Sequence, residues 1–558
     1  MIYATTTTED LLAKVARLES ELADSRKEVE KLRASQTELR VELELLKRRI
    51  FLAKAERVDT RQLELEFATK LAHLNALTEP TPESPTIFDE PTTGEQGPGP
   101  RKGKKKPLGR RDLSEVNLPE VRVDITDPVF EKLVQEGRAI QLGAVLSYKL
   151  AWQRGGHRKL VIARTTYRMH ETDGETTIVT AALPEESLSR SIAAPSLLAH
   201  LLKSKFEMGL PFARIERDWR HSGMSVDRGS MSRWMEEIGG LFGVTILAAA
   251  LKEAMAIAFC LSTDATRVAI QPIPDPNGKR QSCRNGNFFV IIADRDHVFF
   301  EYTPRETSEA VSKMFEGFKG HIQADAKSVY DILFRPPPDV NAQDFIPPKE
   351  VGCWAHGRRK FWEAAITLKD ETAREAIYRI HRFYEWEKQW KDKSLDEVTC
   401  LRQTILRKEV DAFFTWARVQ QEPLLGQRGL LPMAFGYVIR NEIALKRFLE
   451  DGRLRIDNNH SERAIRPIAV GRNAWLFVGS DDHATSTGHI FSMIASARLH
   501  GLDSETYLRD MLRVLPHWPK DRYLELAPKY WAKTRATLDP VELAMEIGPL
   551  TIPPAPMK

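Results

Sequence analysis

Apolar residues recur every three or four positions through the first fifty residues of the chain. This spacing, with charged residues beside it and no proline or glycine within it, predicts a coiled coil over residues 1–77. Polar Ser25 and Gln36 interrupt the stripe at seam positions, where such residues can fix the register of the helices. The alternative is a long helix that folds back on its own chain. We expect self-association, most simply as a dimer. The stripe consists of Leu11, Val15, Leu18, Leu22, Val29, Leu32, Leu39, Leu43, Leu46 and Ile50.

The periodic pattern ends in a segment that predicts a linker with a basic arm, over residues 78–111. Its first part is rich in Pro, Thr, Glu and Gly and shows no periodicity. Its last part, "RKGKKKPLGRR", is strongly cationic, and Lys104, Lys105 and Lys106 are candidates to contact DNA phosphates. A solvated linker is the alternative, because charge runs are common in disordered segments.

Alternating apolar residues predict a small strand-rich module over residues 112–180. Gly155 and Gly156 stand between two strand-like runs and predict the turn of a hairpin.

A helical region is predicted over residues 181–250. It contains two short helices around a turn with Gly223, and Arg228 and Arg233 lie close to the start of the second helix. This pattern fits a DNA-binding helix-turn-helix, in which the two arginines would contact DNA. Ordinary packing of two helices is the alternative.

Strand-like runs that carry aspartates follow. The first, at 257–270, is interrupted by Asp264; the next, at 287–303, is followed by a helix and by a short strand that ends at Asp325. The order of strand, strand, helix, strand, helix and strand predicts the first part of an RNase H-like α/β catalytic core, over residues 251–362.

Two aspartates in apolar strands are costly unless they are paired or bind a cation. Asp264 and Asp325 can meet if their strands are neighbours, and Glu462, from a predicted helix, could complete the site. Three such acids can hold two divalent metals about 3.5–4 Å apart, and Mg²⁺ prefers oxygen ligands of this kind. One ion would activate water or a 3′-hydroxyl, and the other would stabilise the departing oxygen of a phosphodiester.

Each carboxylate also has a plainer interpretation. Asp264 could simply end its strand, and Asp325 could cap the helix that follows. Glu462 could pair with Arg463 or Arg466 on its own helix.

Neighbouring residues leave further alternatives open. Asp331 and Asp457 are rival metal ligands, which we place on a surface helix and in the loop before the Glu462 helix. Ser461 or Asn459 could cap that helix. Trp475 is interpreted as a core residue rather than as a base-stacking one.

The third carboxylate is separated from the other two by a long helical stretch. Apolar spacing of three and four predicts a helical insertion over 363–452, which would cover the active site or the DNA. The catalytic core resumes over 453–500, and a C-terminal helical region occupies 501–558.

Composition narrows these interpretations. The net charge is only +4, so DNA binding must depend on local basic patches. We find neither a long apolar run nor a leader, and expect a cytoplasmic, nucleoid-associated protein without a membrane span. The four cysteines stand far apart, which argues against disulfides and zinc knuckles.

Four segments resemble transposases of the insertion-sequence 66 family. "DNNHSERAIRPIAVGRNAWLFVGS" resembles the block around the family's catalytic glutamate, and "CWAHGRRKF" is similar to a second characteristic segment. "LSTDATRV" and "IQADAKSVYD" resemble the strands of its two aspartates. The resemblance extends over nearly the whole chain.

The resemblance implies a DDE transposase, a divalent-metal-dependent polynucleotidyl transferase that cuts and joins DNA at the ends of its mobile element. Asp264, Asp325 and Glu462 would then be the catalytic ligands of two Mg²⁺ or Mn²⁺ ions. The partners would be double-stranded DNA, at the element ends and the target, and small accessory transposition proteins. The alternative is a catalytically silent, transposase-derived protein that represses by binding the ends.

The sequence also departs from the family. Residues 112–170 contain no cysteine, whereas the family carries a cysteine-ligated zinc module there, so we expect no structural zinc. "SDDHATSTGHI" lacks the usual glycine and arginine residues.

Basic residues near the predicted acids are candidate DNA contacts. Arginine suits phosphates through its bidentate geometry, although some of these side chains could instead brace the acidic site. His356 could also be an ordinary packed histidine. The candidates are His356, Arg358, Arg359, Arg463, Arg466 and Arg472.

Overall fold

A computed structural model describes most of the chain after the basic arm. The described residues are 113, 116 and 118–555, with gaps at 154, 171–175, 190, 273–280 and 336–345. The predicted coiled coil, the linker and the arm with Lys104, Lys105 and Lys106 lie outside the described residues.

A small mixed sheet comes first. Strands β2 and β3 form a long antiparallel hairpin, β1 pairs parallel with β3, and β4 pairs antiparallel with β3. Gly155 and Gly156 lie in the hairpin turn with φ values of 102° and 142°, which favour glycine. The elements are β1 (Glu120–Ile125), α1 (Pro128–Gln135), β2 (Ala139–Gln153), β3 (Gly156–His170) and β4 (Thr176–Thr180).

Helices follow in the region where a helix-turn-helix was predicted. Gly223, with φ of 80°, lies in the turn between α3 and α4. The elements are α2 (Pro195–Leu202) with a π-helical turn (Lys203–Glu207), α3 (Phe212–His221), α4 (Arg228–Phe242), a second π-helical turn (Gly243–Leu247) and α5 (Ala248–Ile257).

The continuous helical run Arg228–Ile257 is long and apolar enough to cross a membrane by length and composition. Its apolar side chains have another explanation, because Met231, Ile238, Phe242 and Ile246 are fully buried in the main hydrophobic core. Burial in the core of a globular domain therefore explains the apolar composition of this helical run.

The main sheet has five strands in the order β7-β6-β5-β8-β9. Strands β5, β6 and β7 are antiparallel neighbours, whereas β8 runs parallel to β5 and β9 parallel to β8. The strands are β5 (Cys260–Ile270), β6 (Arg284–Ala293), β7 (His297–Thr303), β8 (His321–Gln323) and β9 (Lys349–Val351). Helix α6 (Ser308–Met314) precedes β8, and a 3-10 turn (Ser328–Tyr330) and α7 (Asp331–Phe334) follow it.

Helices from β9 onward build a second hydrophobic core around Trp354, Phe383, Phe413 and Phe435. The aromatic rings of Trp354, Phe383 and Phe413 meet edge to face with centroids 5.1–5.9 Å apart, a favourable geometry. The elements are α8 (Trp354–Leu368), α9 (Glu371–Gln389), α10 (Leu395–Leu401), a π-helical turn (Arg402–Leu406), α11 (Arg407–Gln421), α12 (Leu430–Arg440), α13 (Glu442–Lys446) and 3-10 turns at Glu422–Leu424 and Arg447–Glu450.

The last helices return to the main sheet. In α15, Ser492 and Ser496 accept hydrogen bonds from the backbone N–H groups of Phe300 and Val298, which fixes this helix against β7. The elements are α14 (Asn459–Trp475), α15 (Asp481–Leu499), α16 (Ser504–Val514), α17 (Pro528–Arg535), α18 (Pro540–Ala544) and 3-10 turns at Leu515–His517 and Lys520–Leu526.

Candidate active site

Two aspartates are brought together by the parallel pairing of β5 and β8. The register pairs Cys260 with His321 and Ser262 with Gln323. Continued by two residues, the same register sets Asp264 beside Asp325, just beyond the end of β8. Asp325 is only 8% exposed, and its Oδ1 atom is buried without a hydrogen-bond partner. Asp325 therefore does not cap the following helix.

Negative charges meet at this place. Burial raises the pKa of Asp264 to about 6, and the charges of Asp325 and Glu462 act in the same direction. A hydrogen bond of 2.8 Å from the Ala265 N–H to Oδ1 and the charge of Lys327 oppose the rise in pKa. The three predicted acids thus lie within each other's electrostatic influence, although they are distant in sequence.

Glu462 lies in the first turn of α14 and is held by residues of α8. Arg359 Nη2 donates to Oε1 at 3.1 Å and to Oε2 at 3.3 Å, and His356 Nε2 lies 3.7 Å from Oε1. Glu462 therefore pairs across two helices, and the exposed Arg463 and Arg466 of its own helix are not its ion-pair partners.

His356 stands between the acids. Burial lowers its pKa, while the charges of Asp325 and Glu462 act in the opposite direction. Its Nδ1 atom is buried without a hydrogen-bond partner. The position of His356 between Asp325 and Glu462 is what distinguishes it from an ordinary packed histidine.

Lys327 adjoins Asp325 and Glu306 adjoins Lys327, and neither was predicted from the sequence. Lys327 Nζ lies 3.4 Å from Asp325 Oδ2 and 3.7 Å from Glu306 Oε1. Lys327 had a signal, because it follows Asp325 by two positions. Glu306 precedes α6 and reaches the site only through the fold.

A buried asparagine joins the elements of the site. Asn458, which is fully buried, donates from Nδ2 to the Thr263 carbonyl at 2.7 Å and from its backbone N–H to Cys353 Sγ at 3.2 Å. It therefore ties the strand of Asp264 and the start of α8 to the helix of Glu462.

The rival acids have other roles. Asp457 accepts from the Asn459 backbone N–H at 3.1 Å and from its Nδ2 at 2.6 Å, so it stabilises the start of α14. The expected cap from Ser461 or Asn459 is wrong, since Ser461 Oγ is buried without a partner and no side-chain cap forms at the N-cap residue. Asp331 begins α7 and pairs with Arg335 at 3.4 Å.

The donor set of this site suits a hard cation. Asp264 and Asp325 bring carboxylate oxygens together in a half-buried place, and the free Oδ1 of Asp325 lacks any other partner. Glu462 is held by a guanidinium group instead. No group of three or more His, Cys, Asp or Glu side chains among the described residues is arranged to hold a metal ion.

The predicted DNA-contacting arginines occupy different settings. Arg358 and Arg359 are exposed on α8, and Arg463 and Arg466 are exposed on α14. Arg472 instead donates to Thr266 Oγ1 at 3.1 Å and to the Arg267 carbonyl at 2.7 Å, so its side chain braces β5 close to Asp264.

The two arginines of the helical pair are also exposed, but each has a local partner. Arg228 Nε lies 3.0 Å from Glu216 Oε2 of the preceding helix, and Arg233 donates to Ser230 Oγ at 3.2 Å. Both bonds lie at the surface, so they can be exchanged for phosphate oxygens at small cost.

Comparison with known protein families gives the class of the chain. Residues 190–486 match the profile described as Transposase IS66 family, and residues 492–528 match the IS66 C-terminal element. The first match includes Asp264, Asp325 and Glu462. The chain is a transposase by class, and it belongs to the IS66 family. Membership implies a function in transposition.

Similar proteins are found in Sinorhizobium fredii (strain NBRC 101917 / NGR234). The chain is 27% identical to uncharacterized protein y4qI over 78% of either chain. It is 26% identical to uncharacterized protein y4hP over 63% of this chain and 65% of the relative, and 25% identical to uncharacterized protein y4jD over 61% and 66%. No solved structure matches the chain.

Proposed function

We propose that this chain is a DDE transposase that cleaves and joins DNA at the ends of an insertion sequence. One observation carries the proposal: the charges of Asp264, Asp325 and Glu462 converge on one place, although a whole helical insertion separates the last from the others. Buried like charges cost stability, and their concentration in one cleft is typical of a functional site.

The main sheet supports an RNase H-like catalytic core. Its first three strands form an antiparallel meander, and two further strands join in parallel beside the first, which gives the order third, second, first, fourth and fifth. In the RNase H-like core expected from the sequence, central strands carry carboxylates. Asp264 lies on the first strand, and Asp325 lies two residues beyond the end of the fourth.

Asp264, Asp325 and Glu462 would hold two Mg²⁺ or Mn²⁺ ions. The chemistry supplied by such ions is activation of an attacking oxygen and stabilisation of the departing one. Lys327 and Arg359 balance the carboxylates when no ion is bound. When ions take over the carboxylates, both cations would become available for phosphate oxygens. Arg358, Arg463 and Arg466 present cations on the same two helices, which suits a polyanionic substrate.

The partners follow from this activity. Double-stranded DNA, as element end and as target, is the substrate in the cytoplasm. Self-association through the N-terminal coiled coil would bring two ends together, and accessory transposition proteins could assist. The basic arm and the pair α3–α4 would add DNA contacts outside the acidic site.

A silent, end-binding repressor derived from a transposase is the second candidate. It is favoured by one observation, the contact of Arg359 with both carboxylate oxygens of Glu462. In a repressor, Arg359 could stay bound to Glu462. In a catalyst, Arg359 would have to release Glu462 so that the carboxylate can bind a metal ion.

Amide variants test the proposal and separate the two candidates. In an assay on DNA that contains the element ends, Asp264→Asn, Asp325→Asn and Glu462→Gln should each lower cleavage by at least about a thousandfold, because the three act as one unit. End binding should survive. Mg²⁺ or Mn²⁺ should support cleavage, and Ca²⁺ should support it poorly.

The matched controls are Asp331→Asn and Asp457→Asn, which remove nearby acids with structural partners. Their cleavage rates should stay close to that of the unmodified protein after correction for folding. Normal cleavage by Glu462→Gln with loss in Asp457→Asn would show that the third ligand is misassigned. Binding without any cleavage by the unmodified protein would support the repressor.

A further inference from the structure

A groove of about 490 Å³ lies at the carboxyl end of α14. Its walls come from the π-helical turn after α2, the start of α3, the start of α4 and the segment that follows α14. That last segment is fixed to the main sheet, because the Val478 N–H donates to the Ala269 carbonyl at 2.9 Å and the Gln271 N–H donates to the Val478 carbonyl at 2.8 Å. The residues that matter below are Lys205, Phe206, Phe212, Trp475 and Phe477.

Lys205 places a cation inside this groove without an acid to balance it. Its Nζ lies 4.2 Å from the ring centre of Phe212, 5.6 Å from that of Trp475 and 5.7 Å from that of Phe206. Across the described residues, no carboxylate lies within ion-pair distance of this ammonium group. Burial lowers the pKa of Lys205 to about 8. Aromatic faces offset only part of the cost of a partly buried charge, so Lys205 reduces stability where it stands.

The rim of the groove is apolar and exposed. Phe477 is 43% exposed and Leu476 is 66% exposed. Leu476 also has a φ of 64°, which is an uncommon and strained conformation for a residue other than glycine. The groove therefore has an exposed aromatic ring, Phe477, and a cation without a carboxylate partner, Lys205. Proteins that bind single DNA strands use this combination, with phosphates at the cation and bases stacked on the ring.

The groove lies at a definite distance from the acidic site. Helix α14 rises about 20 Å between Glu462 and Trp475. Along β5, the distance from Asp264 to Ile270, which bridges to Val478, is also about 20 Å. A stacked DNA strand covers this distance with about six nucleotides. One strand can therefore reach both places.

We propose that this groove binds an unpaired DNA strand about six nucleotides from the acidic site, with Lys205 on a phosphate and Phe477 against a base. The inference rests on the proposed function, because it takes DNA as the substrate. It assigns a task to two residues outside the candidate catalytic set.

The first test replaces Lys205 in the full chain and measures binding of a fluorescently labelled single-stranded oligonucleotide at several salt concentrations. Lys205→Met should weaken binding and reduce the log–log salt slope by about 0.7, the value for one phosphate contact on a single strand. The control is Lys252→Met, which removes an exposed lysine of α5 and should leave the slope unchanged. The melting temperature of Lys205→Met should equal or exceed that of the unmodified chain, because an unbalanced buried charge is removed.

The second test replaces Phe477. Phe477→Ala should weaken binding of the same oligonucleotide about tenfold, the loss expected for one stacked base, and should affect the duplex less. Val470→Ala is the control, since Val470 is 63% exposed on α14 but does not line the groove.

The outcomes separate the two proposals. Normal binding by the unmodified chain with an unchanged salt slope in Lys205→Met would overturn this inference and leave the proposed function intact. A lower melting temperature in Lys205→Met would also overturn it, because it would make the lysine structural. If the unmodified chain binds neither single-stranded nor duplex DNA, the proposed function itself fails.

Discussion

Two cations in this molecule, the buried Arg402 and the partly buried Lys205, have opposite surroundings. Arg402, in the helical insertion, is only 3% exposed, and both oxygens of Glu387 accept from it at 2.8 and 2.7 Å. Three backbone carbonyls, of Phe448, Asp451 and Leu454, accept from the same guanidinium at 2.7–3.0 Å. Lys205, in the π-helical turn after α2, has three aromatic rings around its ammonium group and no carboxylate within ion-pair distance among the described residues. Arg402 is balanced in every direction, and Lys205 is not.

A similar contrast holds between the insertion and the acidic site. Where α14 begins, buried atoms without hydrogen-bond partners lie close to the predicted acids: Asp325 Oδ1, His356 Nδ1, Asn458 Oδ1 and Ser461 Oγ. A buried polar atom without a partner costs about 1–3 kcal/mol. The insertion thus uses Arg402 to hold helices together, whereas polar atoms at the start of α14 and the ammonium group of Lys205 near its other end have no comparable partners among the described residues. The experiments below probe this difference.

The largest effect on stability is expected in the insertion. Arg402→Met leaves Glu387 buried without a counter-charge and removes the donor from three carbonyls, so the free energy of unfolding should fall by about 3–5 kcal/mol. Denaturant unfolding followed by far-UV circular dichroism measures this change.

Arg407→Met is the matched control for Arg402→Met. Arg407 donates to Gln403 at the surface, so its loss should cost less than about 0.5 kcal/mol. If Arg402→Met and Arg407→Met lower the free energy of unfolding by the same small amount, the partners of Arg402 do not stabilise the insertion. The contrast between Arg402 and Lys205 would then have no energetic basis.

The sequence predicts some parts of this contrast and not others. The acids Asp264 and Asp325 stand out because a carboxylate in an apolar run is unusual, and the helical insertion is visible in its spacing of three and four. Spacing does not tell which cation will be buried or what will surround it. Arg402 and Lys205 are both basic residues in helical stretches with many apolar neighbours, and only the fold gives one of them a carboxylate and the other three aromatic rings.

The same limit applies at the acidic site. The alternative ion-pair partners expected for Glu462 were arginines of its own helix. Its actual partners, Arg359 and His356, come from α8, which lies about a hundred residues earlier in the chain. Glu306 joins Lys327 through tertiary packing alone. The start of α14 was also mispredicted: Asn459 and Ser461 are both good capping types, but Asn458 is the N-cap residue and forms no side-chain cap, because the outcome depends on backbone geometry.

An intermediate effect is expected at the joint between β5 and α14. Asn458→Ala removes the bond to the Thr263 carbonyl inside a fully buried place, and should cost about 1–3 kcal/mol. Because this bond connects the strand of Asp264 to the helix of Glu462, DNA cleavage by the folded fraction should also fall. Unfolding and cleavage are measured on the same preparations.

Asn441→Ala provides the comparison from the insertion. Asn441 Nδ2 donates to the Tyr437 carbonyl at 2.8 Å in a half-buried place, so stability should fall slightly while cleavage by the folded fraction stays normal. If both asparagine variants reduce cleavage alike, the position of Glu462 does not depend on the buried joint.

The smallest effect is expected at Lys327, the cation beside Asp325. Its side chain is 45% exposed, so Lys327→Met should change the metal-free stability by no more than about 1 kcal/mol.

The response to Mn²⁺ should change more clearly. Without the ammonium group at 3.4 Å, Asp325 has no competing cation, and Mn²⁺ should raise the melting temperature more in Lys327→Met than in the unmodified chain. Lys319→Met, at an exposed lysine before β8, should respond as the unmodified chain does. A smaller Mn²⁺ response in Lys327→Met would mean that the lysine helps to build the metal site rather than to balance it, and no response in any of the three proteins would contradict the metal-dependent mechanism itself.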